Sequence, residues 1–97
     1  MKEKDQQPAH WTIRVRGDVQ GVFFRAGAAE QARALGLTGE ARNMPDGSVQ
    51  IEVEGPVAQL ERFRVWCGHG PPRARVSDVD VREGQMQGYT PGTFKRL

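Results

Sequence analysis

The strongest constraint on the fold is the order in which two hydrophobic periodicities follow each other. Residues 11–15 and residues 49–53 are apolar at every second position, as expected for strands with one buried face. Residues 24–35 carry apolar side chains at the spacing of one helical face, and residues 57–67 carry a second such stripe, with Pro56 at its first position. The sequence therefore predicts two amphipathic helices that alternate with strands.

Weaker signals complete the order of elements. Residues 37–43 predict a short strand, and the Pro-Asp-Gly turn signal in residues 44–48 joins it to the next strand as a hairpin. Residues 75–83 predict a later strand with a bulge or a late start at Val76, and residues 94–97 could add a short terminal strand. The order β-α-β-β-α-β is that of the α+β, ferredoxin-like split β-α-β fold, an antiparallel sheet with two helices on one face.

Length and composition restrict the class of protein. The 97 residues suffice for one domain, which we predict over residues 10–97 after a flexible polar tail of residues 1–9. No apolar run approaches the roughly 20 residues of a membrane span, and the polar start has no signal-peptide core, so we expect a cytoplasmic monomer without membrane contact. The net charge of +2 suits a small anionic ligand better than a long phosphate backbone.

The segment from Gly17 to Arg25 connects the first strand to the first helix. Its two glycines free the backbone to turn several N–H groups toward one point, where a helix N-terminus also attracts anions. Arg25 lies in the first helical turn, where a positive charge is unfavourable unless it shares an anion with those N–H groups. The residues alone are equally compatible with an ordinary glycine-containing turn and a surface arginine.

Asn43 is the second candidate functional residue, because it ends the weak strand just before the turn. Its amide offers both donors and an acceptor on a short side chain and could orient a water molecule. Taken alone, however, Asn43 is more simply a residue that begins a turn, since asparagine is common there.

The chain resembles the acylphosphatase family in two motifs that bracket these candidates, and the resemblance extends over about residues 10–97. The motifs are Gly17-x-Val19-Gln20-Gly21-Val22-x-Phe24-Arg25 and Gly39-x-x-x-Asn43-x-x-Asp46-Gly47-x-Val49.

The resemblance implies hydrolysis of a small acyl phosphate to a carboxylate and inorganic phosphate, without a metal or an organic cofactor. It also implies that Arg25 binds the substrate phosphate and that Asn43 positions the attacking water. The main-chain N–H groups that would surround the phosphate belong to Val19, Gln20, Gly21, Val22 and Phe23.

The sequence departs from the usual family pattern at four positions near the motifs, which are Ala28, Glu40, Ala41 and Met44. These departures leave a second hypothesis open, a binding or regulatory module that keeps the anion pocket without turnover. The pairing of Arg25 with Asn43 favours the enzyme, because an anion pocket alone needs no amide to orient water.

Two other classes of site are disfavoured. Cys67 and His69 lie near one helix end and supply only two candidate ligands, whereas a zinc site needs three or four. His10 is predicted to lie at a strand edge. A ferredoxin-like sheet can bind RNA, but here the third strand is predicted to expose Glu52 and Glu54, which would repel phosphate, so no nucleic-acid partner is expected.

Overall fold

The predicted order of elements is present in the computed structural model, which describes residues 6–97. Five strands and two helices follow one another as β1 (Pro8–Asp18), α1 (Phe24–Ala34), β2 (Thr38–Asn43), β3 (Val49–Pro56), α2 (Val57–Cys67), β4 (Arg75–Gly84) and β5 (Phe94–Arg96). The strands form one sheet in the order β4-β1-β3-β2-β5. The fold is α+β and ferredoxin-like, as predicted.

The prediction of a wholly antiparallel sheet is wrong at one edge. The pairs β4–β1, β1–β3 and β3–β2 are antiparallel, but β5 pairs parallel to β2, with Gly39 opposite Phe94 and Ala41 opposite Arg96. The chain leaves β4 at the end of the sheet where β2 begins. A strand that starts there along the free edge of β2 must therefore run in the same direction as β2.

The first strand is longer than predicted at its start. Pro8 pairs with Pro56 and Ala9 pairs with Gly55, so two residues predicted to lie in the tail belong to the sheet. Residues 1–5 of the predicted tail lie outside the described part of the chain. Pro56, predicted to be the first helical residue, is instead the last residue of β3, and α2 begins one position later, at Val57.

The predicted irregularity near Val76 is a bulge. Arg16 pairs with Asp78 and Gly17 pairs with Val76, so Ser77 is the extra residue on β4. A Cβ atom on Gly17 would lie 2.1 Å from the backbone oxygen of Arg75. Glycine at this position therefore permits the close approach of β4 where β1 turns toward the first loop.

Both helices pack on the apolar face of the sheet and share its core. The strands contribute the side chains predicted from their alternation, and the helices contribute most of each predicted stripe. The fully buried side chains include Ile13, Val15, Val49, Ile51, Val53, Phe24, Ala28, Ala32, Leu60, Phe63 and Cys67. Each helix has 11 residues, and within residues 6–97 no helix is long and apolar enough to cross a bilayer.

The opposite face of the sheet is polar but is not all exposed. Glu54, predicted to face solvent, is only 4% exposed. The segment after β4 covers it, because the backbone N–H groups of Gln87 and Gly88 donate to its carboxylate. The expected exposure was wrong because this cover comes from residues that have no periodic pattern.

Candidate active site

A pocket of about 420 Å³ opens where β1 and β2 end and α1 begins. Five of the eight lining residues are predicted site residues, and the other three are Phe24, Ala26 and Arg96. The full lining is Val19, Gly21, Phe23, Phe24, Arg25, Ala26, Asn43 and Arg96. The fold thus brings the first loop and the end of the weak strand to one cavity. Arg25 and Asn43, which are 18 positions apart in the sequence, both line it.

The backbone φ angles of the first loop alternate in sign from Gly21 to Phe23. Gly21 has φ +74°, and Phe23 has φ +66°, the one positive φ among non-glycine residues within 6–97. Val22, which lies between them, has a negative φ. Such alternation is the conformation of a backbone nest, in which successive N–H groups converge on an anion.

These donors have no partner in the part of the chain that the structure describes. No N–H group from Val19 to Ala26 donates to a backbone or side-chain acceptor there. The first turn of α1 has neither a capping side chain nor an acidic residue. The unpaired N–H groups and the positive end of the helix dipole therefore both favour an anion at this point.

The side chains of the loop take different positions. Val19 is buried in the core and Val22 packs against it, so both anchor the loop. The side chain of Gln20 points the other way, and its Nε2 donates to the backbone oxygens of Met44 at 2.8 Å and Ser48 at 2.9 Å. This link between the loop and the turn after β2 was missed by the sequence analysis, which assigned only the main chain of Gln20 to the site.

Arg25 is half-buried at the pocket, and its guanidinium donates to the backbone oxygen of Leu97. Arg96 lines the same pocket. It arrives there because β5 pairs parallel to β2 and sets Arg96 opposite Ala41, two residues before Asn43. Arg96 was not predicted to lie at the site, because the sequence of a three-residue strand does not indicate which edge of the sheet the strand joins.

Asn43 is the last residue of β2 and is exposed to the pocket. Its amide has no hydrogen-bond partner in the stretch 6–97. The turn that follows is held by other groups, since Met44 donates its N–H to Ser48, and the Asp46 carboxylate accepts from Ser48 N at 2.9 Å and Oγ at 2.6 Å. These bonds from Ser48 also lower the pKa of Asp46. The amide of Asn43 is therefore not used to form the turn.

Metal ligation finds no support in the described structure. Burial raises the pKa of the Cys67 thiol, which lies in the core, whereas His69 is exposed. Across residues 6–97, no three His, Cys, Asp or Glu side chains converge where they could hold an ion.

Comparisons with known proteins identify the family of the chain. The sequence profile of the acylphosphatase family matches residues 11–95. The chain is 53% identical over 76 residues to an acylphosphatase from an Anaeromyxobacter strain, covering 78% of this chain and 82% of that one. It is 48% identical over 86 residues to an acylphosphatase from a Synechococcus strain, covering 80% of this chain and 74% of that one.

A solved acylphosphatase structure from Coxiella burnetii superimposes with a TM-score of 0.89 at 32% identity and covers both chains completely. Sequence and fold agree over nearly the whole length, and the chain belongs to the acylphosphatase family of hydrolases.

Proposed function

We propose that this protein hydrolyses acyl phosphates to a carboxylate and inorganic phosphate, and that it does so without a metal ion. The observation that carries the proposal is the shared pocket of Arg25 and Asn43, at a loop whose N–H groups are unpaired within the described residues. The loop and the guanidinium suit an anion, and the free amide suits a water molecule.

The phosphate group of the substrate binds to the loop. The N–H groups of residues 19–23 donate to its oxygens, and the guanidinium of Arg25 adds a charged, two-pronged donor. The N–H donors are fixed by the backbone before the substrate arrives. They therefore stabilise the charge on the phosphoryl oxygens in the transition state without reorganisation.

The amide of Asn43 holds the attacking water in line with the bond to be broken. The water oxygen forms a bond to phosphorus as the bond from phosphorus to the acyl oxygen breaks. The carboxylate leaves with the electron pair and is stable at neutral pH, so it needs no proton. The proton of the water passes to a phosphate oxygen, because asparagine is too weak a base to take it.

The positions of the histidines agree with a reaction that uses no protein base. His10 lies at the start of β1, at the end of the sheet away from the pocket, and His69 follows α2. Neither of the two lines the pocket. A rate that depends on an enzyme group of near-neutral pKa would contradict this part of the proposal.

The experiment is hydrolysis of acetyl phosphate in the presence of a chelator by the wild type, Arg25→Ala and Asn43→Ala. Arg62→Ala, which removes an exposed arginine of α2, is the matched control. We expect turnover by the wild type and the control, and losses of about a hundredfold or more in both site variants. Full activity in either folded site variant would contradict its assigned role.

The alternative hypothesis is a binding module on the same fold. It predicts that the folded wild type does not turn over acetyl phosphate, although inorganic phosphate still raises its melting temperature through Arg25. A monomeric state and a cytoplasmic location also stay predictions, and size-exclusion chromatography with light scattering tests the first.

A further inference from the structure

Phe23 has a conformation and an exposure that folding does not explain. Its φ of 66° and ψ of 25° lie in the left-handed region, which is unfavourable for a bulky side chain. Its side chain is nevertheless 76% exposed, so the ring gains little from burial. A glycine or an asparagine would satisfy this backbone with less strain, and the ring therefore calls for a reason other than stability.

Phe23 lies at the pocket beside the proposed reaction site. Phe23 lines the same cavity as Arg25 and Asn43, and its own N–H belongs to the proposed phosphate cradle. A substrate whose phosphate sits on the loop must extend its acyl group from that point. An acyl group joined to phosphorus through one oxygen is within reach of a side chain on the loop itself.

Phe23 also supplies the apolar surface that such a group would meet. Two other apolar residues of the lining, Val19 and Phe24, are only 1% and 2% exposed and present little area. Ala26 contributes one methyl group. Among the apolar lining residues, Phe23 therefore carries by far the most exposed side chain.

We propose that the Phe23 ring contacts the acyl group of the substrate and gives the enzyme a preference for aromatic acyl phosphates over small ones. The proposal rests on the acyl phosphate hydrolysis proposed above. An aromatic acyl group can stack on the ring, or meet it edge to face, in a contact that an acetyl group cannot make. Because the ring touches the acyl end only, its effect is on the choice of substrate and not on the chemistry at phosphorus.

The test compares kcat/KM for benzoyl phosphate and acetyl phosphate in the wild type, Phe23→Asn, Phe23→Gly and Phe23→Leu. The Asn and Gly variants lack the ring and tolerate the left-handed backbone, so the test survives if one of them does not fold. Val65→Asn, which removes an exposed apolar side chain from α2, is the matched control. The inhibition constant of inorganic phosphate reports any change in the cradle, and the ratio of the two substrates cancels that change.

We expect the ratio of benzoyl to acetyl phosphate to fall about three- to tenfold in the Asn and Gly variants, less in the Leu variant, and not in the control. A ratio that stays within twofold of the wild type in the ring-less variants overturns the proposal while the hydrolase activity stands. A wild type that hydrolyses neither substrate overturns the proposed function and this inference together.

A third substrate separates the ring from the nearby cation. Arg96 also lines the pocket and could attract an acyl group that carries a carboxylate. Succinyl phosphate supplies such a group. If the wild type prefers succinyl phosphate to benzoyl phosphate and the Arg96→Gln variant does not, Arg96 and not Phe23 selects the acyl group, and the proposal for Phe23 is wrong.

Discussion

The two ends of the sheet use their polar groups in opposite ways. At the site end, formed by residues 19–26 and Asn43, backbone donors and a side-chain amide have no partner in the structure described. At the network end, formed by His10, Glu52, Glu54 and the segment 85–93, the side chains of His10 and Glu54 are buried, and hydrogen bonds link the polar groups to each other. The first arrangement suits a ligand, and the second suits the folded state.

The network end is centred on a buried histidine. His10 is 3% exposed, and its Nδ1 lies 2.8 Å from Glu54 Oε2 while its Nε2 lies 2.6 Å from Glu52 Oε1. Thr12 also donates to Glu52 Oε1, at 2.7 Å. Through the bonds from Gln87 and Gly88 to Glu54, this network holds the segment after β4 against the sheet.

We infer from this difference that function and stability depend on opposite ends of β1. His10 and Asp18 are eight residues apart on one strand, a distance of about 26 Å at the usual rise of a strand. Substitutions at such a distance usually have additive effects. Changes at the site end should therefore alter activity, and changes at the network end should alter stability.

The largest expected effect is that of Arg25→Lys at the site end. Lysine keeps the charge but loses the planar fork, so we expect kcat/KM for acetyl phosphate to fall by about a hundredfold. The free energy of unfolding should change by less than about 1 kcal/mol, measured by denaturant titration. Arg62→Lys is the control. A loss of unfolding free energy comparable to the loss in activation free energy would show that the site end also contributes to stability.

The reverse effect is expected for Glu54→Gln at the network end. Removing a buried charge that faces His10 should lower the free energy of unfolding by about 1–3 kcal/mol, measured in denaturant. Activity at a temperature where the variant is folded should stay within about twofold. Glu83→Gln changes an exposed carboxylate and serves as the control. A large loss of activity in the folded Glu54 variant would show that the two ends are coupled.

Gln20→Ala tests how the two parts of the site end are held together, because the Gln20 side chain links the loop of residues 19–23 to the turn after Asn43. We expect kcat to fall by about tenfold with a smaller change in KM, since the loop and Asn43 would lose their fixed spacing. Gln85→Ala, in the exposed segment after β4, is the control. An equal loss of kcat in both variants would remove the positioning role from Gln20.

The smallest effect is the acid dependence of the network end. Burial raises the pKa of Glu54, but the hydrogen bonds from Gln87, His10 and Gly88 outweigh burial and hold it below the ordinary value of 4.5. A lowered pKa in the folded state stabilises the protein above that value, and the contribution is lost as the pH falls through the folded pKa. The melting temperatures of the wild type and Glu54→Gln should therefore converge below pH 4.5; a constant gap would contradict this assignment.

The sequence predicted the elements with strong periodicity and missed what depends on contacts between distant residues. The alternation in β1 and β3 and the stripes of both helices predicted the core because each pattern is local. The parallel pairing of β5, and with it Arg96, was not predictable, because a three-residue strand gains its partner from the tertiary fold.

The candidate site divides in the same way. Arg25, Asn43 and the loop were predicted from local motifs, and the fold brings Arg25 and Asn43 into one pocket. The strand-edge prediction for His10 was wrong, since β1 lies between β4 and β3 and Tyr89 of the segment after β4 stacks on the buried imidazole. Its partners are more than 40 residues away and become visible only through the register of β1 on β3.

The proposed function depends above all on phosphate binding by the backbone N–H groups from Val19 to Phe23. The most direct measurement is a titration of the ¹⁵N-labelled protein with inorganic phosphate, followed by the chemical shifts of each amide. We expect saturable shifts confined to residues 19–26 and Asn43, abolished by Arg25→Ala, with the amides around His10 and Glu54 unmoved. Saturable shifts elsewhere, with none in the loop, would contradict this proposal.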